Sequence, residues 1–122
     1  MRKLIYELIN YLYNIGEGYS MSEKIYTIDE IKMILNKVLQ NQPVYQVILF
    51  GSYAKNEATK KSDIDLLIDT KQALKGFSLI KLICQIQEAL DKPIDGFEKY
   101  EIIKNSKIDK EIKKTGVVVY EK

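Results

Sequence analysis

Apolar positions along the chain switch between helical spacing and strict alternation several times, and each switch predicts an element. Leu4, Ile5, Leu8, Ile9 and Leu12 recur at helical spacing around Glu7 and Asn10, and Gly16-Glu17-Gly18 breaks the run. A second helix opens on Thr27-Ile28-Asp29-Glu30, a capping-box pattern, carries Ile28, Ile31, Ile34, Leu35 and Val38 on one face, and ends near Gln40. Pro43 blocks its continuation. Residues 44–50 then alternate, Tyr45, Val47 and Leu49 against Val44, Ile48 and Phe50. Apolar residues on both faces predict a central strand. Beyond Gly51-Ser52, Tyr53 to Lys55 predict a brief helix, and a polar loop over 56–62 returns the chain to a second apolar run, 64–68.

Gly76 and Ser78 precede Leu79, Ile80, Leu82, Ile83, Ile86 and Leu90, a helical stripe that should lie on the sheet, with Cys84 as a small packing residue. Residues 93–97 predict a third short strand, although Gly96 interrupts it. Ser106 can cap a last helix with Asp109 and Glu111 early, Lys113 and Lys114 late and Gly116 as its stop, and 117–120 add a terminal strand. The succession predicts an α/β (α+β) domain, a small mixed β-sheet flanked by helices.

Composition narrows the chemistry. With 122 residues, 46% hydrophobic, the chain makes one domain with a modest core. Its 19 basic and 17 acidic residues leave a net charge of +2, too small for a strong nucleic-acid footprint. A single cysteine excludes an internal disulfide and fits a reducing cytoplasm, and the lack of histidine removes the usual zinc sites and histidine-based triads. Acid–base work falls to carboxylates or water. No stretch approaches the roughly 20 apolar residues of a membrane span, and no signal-like core follows Met1-Arg2-Lys3.

The stretch 50–69 concentrates the chemistry. In an extended strand Asp63 and Asp65 point to the same side, their backbones about 6.6 Å apart. Two carboxylates so placed suit magnesium or manganese, hard cations that keep some waters and complete their coordination with substrate phosphates. Gly51 permits close backbone approach, and Ser52 offers a hydroxyl and an amide where the brief helix would start, opposite the carboxylates. Asp69 shares their parity but lies about 13 Å beyond Asp65, too far for a shared ion, and should end the strand.

Gly51-Ser52, ten residues, then Asp63-x-Asp65 between two strand-like runs resembles the signature of the minimal nucleotidyltransferases of the DNA polymerase beta superfamily. Many of these are the antitoxin half of a pair formed with a protein of the HEPN type. The resemblance covers roughly residues 25–122, dividing the chain into a catalytic domain over 21–122 and an amphipathic extension over 1–20. That extension reads equally as a docking or dimer helix and as a consequence of starting at Met1 rather than Met21. Its tyrosines, Tyr6, Tyr11, Tyr13 and Tyr19, are expected to pack along that helix.

The resemblance implies magnesium-dependent transfer of AMP from ATP, with two divalent ions held by Asp63, Asp65 and a third carboxylate. It puts that third group at Asp95, which would also receive the acceptor's proton; Asp91 and Glu98 compete for the assignment on spacing. Gly51 and Ser52 would hold the β- and γ-phosphates. Members of the family usually carry Arg-Gly where this chain has Lys55-Asn56. Lysine keeps the charge without the planar fork, and asparagine tolerates a left-handed backbone, so Lys55 is a phosphate-steering candidate. With no length for a further acceptor-binding domain, the implied acceptor is a tyrosine of a cognate HEPN ribonuclease toxin. Transfer to a small molecule such as an aminoglycoside within an oligomer, and neutralisation of the toxin by binding alone, are the alternatives.

Overall fold

The computed structural model describes residues 23–122; the extension expected over 1–20 lies outside them. The elements run α1 (Ile28–Leu39), β1 (Gln46–Phe50), β2 (Ile64–Asp69), α2 (Phe77–Leu90), β3 (Ile94–Glu98), a 3-10 turn (Lys99–Glu101), α3 (Lys107–Thr115) and β4 (Val117–Glu121). This is the expected α/β architecture, with strand and helix boundaries within about two residues of those expected.

The four strands form one sheet in the order β3-β2-β1-β4. β1 is central, as its two apolar faces require, and pairs antiparallel with β2 and β4. β2 and β3 pair in parallel, with α2 between them in sequence as the crossover. A shift of register between Val47 and Ile48 fits an extra residue of β4 against β1, and Val119 and Tyr120 are consecutively buried there.

One face of the sheet makes the main core. Val47 and Leu49 of β1, Ile64, Leu66 and Ile68 of β2, and Ile94 of β3 pack there with Ile31, Leu35 and Leu39 of α1 and Leu79, Leu82, Ile83, Ile86 and Leu90 of α2. Gly96 belongs to this face. A Cβ on it would stand 3.1 Å from Ile83 Cδ1, so the residue that interrupts the strand pattern gives α2 its close seat. Ile48, Phe50, Asp65, Leu67, Asp95 and Phe97 point to the opposite face, where α3 packs along β1. Phe50 and Phe97 meet there with ring centroids 6.0 Å apart.

Local chemistry fixes the ends of the elements. Thr27 and Glu30 close both halves of the expected capping box on α1. Thr27→Ala removes the acceptor for the Glu30 amide and should lower stability by about 1 kcal/mol, read from urea unfolding. The last carbonyls of α1 and α2 are taken by tyrosine hydroxyls from distant segments: Tyr120 donates to Leu39 at 3.2 Å and Tyr26 to Leu90 at 2.6 Å. Ser106 caps α3 as expected. Gly116 stops α3 for a reason of space: its φ is −62°, but a Cβ would collide with the Ile112 carbonyl and press on Ile48. Among the described residues no helix is long and apolar enough to cross a membrane.

Candidate active site

The site is built where three chain segments meet at one end of the sheet. β1 ends at Phe50, which lies opposite Asp65 of β2, and Asp65 lies opposite Asp95 of β3. Residues opposite one another across a ladder point to the same side, so Asp65 and Asp95 stand side by side on the face away from α1 and α2. Asp63 is exposed one residue before β2 begins. Of the residues competing with Asp95, Glu98 is buried on the core face and accepts from the Thr70 amide and hydroxyl, both at 3.2 Å. Asp91 is the left-handed cap of α2, outside the strand. Asp69 ends β2 at its far end, where it accepts from the Lys71 amide at 2.9 Å and lies 3.7 Å from the Lys99 ammonium.

Gly51 leaves β1 at φ +75°, a conformation that L side chains rarely adopt. A Cβ at this position would land on Oδ2 of Asp65 and lie 3.1 Å from its Cγ. The glycine is therefore required twice, by its backbone angle and by the carboxylate beside it. After it the chain differs from expectation. Instead of a brief helix, residues 51–56 form successive turns: the Lys55 amide bonds to Gly51 at 3.2 Å, that of Asn56 to Tyr53 at 3.4 Å and that of Glu57 to Ser52 at 2.9 Å. Tyr53 is buried in the core and Asn56 is left-handed at φ 59°, so helical geometry stops after one turn. The amides of 52–54 still lead this turn, as the first amides of a helix would. Lys55 lies 3.8 Å from Glu57 and 3.9 Å from Glu111.

Electrostatics single out Asp65. Burial, then the neighbouring Asp95, Asp63 and Glu111, push its carboxyl up to about 7. Although Asp63 as a residue is exposed, partial desolvation of its carboxyl also raises it. Glu111 on α3 is thus a fourth carboxylate facing the site, one that the sequence reading did not assign. A signal was present: Glu111 stands three residues after Ile108 and four before Thr115, on the stripe that also holds Ile112.

Among the described residues no three carboxylate or thiolate side chains already converge tightly enough to enclose a metal ion. The donor set nevertheless fits magnesium. It is oxygen-only, and its mutual repulsion is what a dication relieves. An ion there would draw its remaining ligands from water and phosphate.

A model of the family described as Polymerase beta, Nucleotidyltransferase matches residues 30–122. The chain belongs to that family and is a nucleotidyltransferase. Among its relatives is a Methanocaldococcus jannaschii protein named "Putative protein adenylyltransferase MJ0126", 38% identical over 80 residues, covering 62% of this chain and 82% of the relative. Its fold is similar to that in a crystal structure of a toxin-antitoxin with AMP-PNP, with a TM-score of 0.64, 19% identity and coverage of 75% of this chain and 73% of the other. It is also similar to that in a structure of a tri-AMPylated Shewanella oneidensis HEPN toxin in complex with MNT antitoxin, with a TM-score of 0.60, 17% identity and coverage of 79% and 74%.

Proposed function

We propose that this nucleotidyltransferase moves AMP from magnesium-bound ATP to a tyrosine hydroxyl of a cognate HEPN toxin, silencing it. The observation that carries the reading is the register pairing of Asp65 with Asp95, with the Gly51 backbone pressed against Asp65. A backbone turn against paired carboxylates is an arrangement for a polyphosphate held between amides and metal. Similarity to a protein adenylyltransferase and to the complex holding a tri-AMPylated HEPN toxin supports a protein acceptor of that class.

In this reading Asp63, Asp65 and Asp95 hold the divalent ions, which when bound polarise the α-phosphate and stabilise attacking and leaving oxygens. Ser52 and the amides that follow Gly51 orient the β- and γ-phosphates. Lys55 turns from Glu57 and Glu111 to the triphosphate. Asp95, at the edge of the three-carboxylate set, takes the proton of the acceptor hydroxyl as that oxygen bonds to the α-phosphorus. The bond to the bridging oxygen breaks and pyrophosphate leaves.

Intact-mass spectrometry of the adjacent-gene product tests this, after incubation with the protein, ATP and magnesium. The expected result is one or more added AMP masses, absent with Asp63→Asn. No mass change despite magnesium-dependent ATP binding would turn the assignment to small-molecule acceptors or to an antitoxin that acts by binding.

A further inference from the structure

Lys92 is the least expected buried residue of the fold. Only 1% exposed, it precedes β3 in a segment that hydropathy would place at the surface. Burial pushes its pKa down, and Asp91 and Glu23 partly offset that. Its ammonium donates to the main-chain carbonyl of Lys60 at 2.9 Å. Among the described residues its hydrogen bond goes to this backbone carbonyl rather than to a carboxylate of the site.

The carbonyl it grips sits in the turn immediately before Asp63. That turn is closed by the Ser62 amide bonding to Thr59 at 3.0 Å and by the Thr59 amide bonding to the Ser62 hydroxyl at 2.8 Å. On the other side of Asp63, the Ile64 amide bonds to Pro93 at 3.0 Å, the first rung between the segments. Asp63 is therefore suspended between two ties to residues 92 and 93. The base of those ties is itself fixed: the fully buried Gln87 of α2 accepts from the Ile94 amide at 3.2 Å.

We propose that Lys92 is a positioning residue, gripping the turn before Asp63 and so fixing that carboxylate relative to the Asp65–Asp95 pair. The inference rests on the reading of Asp63 as a metal ligand and extends it to the chain that holds the ligand in place. Groups that orient a ligand from behind typically govern affinity by about 10–100-fold.

Lys92→Met keeps the buried stem and removes the donor. Two readouts test it. In the metal-free protein, exchange of the Ser62 amide should accelerate about 10-fold, since the turn loses its outside tie. With a non-hydrolysable ATP analogue present, Mn2+ affinity by electron paramagnetic resonance should fall about 10-fold. In an Asp63→Asn background Lys92→Met should weaken Mn2+ no further, the coupling expected if Lys92 acts through Asp63. Unchanged Ser62 exchange would overturn the proposal, as would a full additional loss in the Asp63→Asn background. If the parent binds no Mn2+ while Ser62 exchange still accelerates, the tie stands and the metal reading falls. Lys92→Gln, whose shorter amide falls short of Lys60, carries the same comparison should Lys92→Met fail to fold.

Discussion

Asp65→Asn should abolish nucleotidyl transfer, by on the order of 10³-fold, while leaving the metal-free protein at least as stable as its parent. The two halves have one cause. The Asp65 carboxyl is half-buried beside Asp95, Asp63 and Glu111, and that partial burial, with the neighbouring charges, raises it to about 7. In the unfolded chain it returns to about 3.9. Between those values the folded state holds a proton that the unfolded state has lost, so stability falls as pH rises through the interval and the contribution is gone above it. Asparagine carries no charge at any pH and escapes the penalty. Thermal unfolding in EDTA should show the parent losing stability from pH 5 to pH 8, by about 1 kcal/mol after screening, relative to a flatter Asp65→Asn profile. Magnesium with ATP should reverse the order, because binding stabilises the protein that keeps its ligands. Equal pH profiles for the two proteins would remove the claim that the site stores electrostatic strain.

The polymerase-like core was legible because its signals are local. Thr27 to Glu30 encodes a cap, residues 46–50 alternate, and the parity of Asp63 with Asp65 follows from any extended backbone. The placement of Asp95 beside Asp65 came from resemblance and depends on a parallel pairing across α2 that no local pattern encodes. Tyr53 and Ala54 suit a helix, so the local pattern after Ser52 predicts one where the chain makes turns. What stops it is the burial of Tyr53 in the core and the left-handed Asn56. Lys92, Gln87 and Glu98 are buried against the average for their types. Each holds a backbone segment through a side-chain hydrogen bond, Lys92 to Lys60 32 residues away, Glu98 to Thr70 28 away and Gln87 to Ile94 seven away. Pattern reading sees residue type and spacing, so such ties are invisible to it.

Gly51→Ala should damage both stability and transfer. Two costs add. At φ +75° an alanine is held where its Cβ crowds its own backbone, worth about 1–2 kcal/mol. The same Cβ would occupy the place of Asp65 Oδ2, and displacing a packed group adds about 1–3 kcal/mol. Urea unfolding should therefore show a loss of about 2–5 kcal/mol. Transfer should fall at least about 100-fold, because the carboxylate that moves belongs to the proposed metal set and such sites tolerate little displacement. The two costs can be separated. In an Asp65→Ala background the obstacle is gone and the backbone strain remains, so Gly51→Ala should cost only about 1–2 kcal/mol there. The difference between the two backgrounds measures how tightly the turn and the carboxylate are pressed together. An identical cost in both would mean that Gly51 is required by its backbone angle alone. The proximity of the phosphate turn to Asp65, on which the reading of the site depends, would then lose its energetic support.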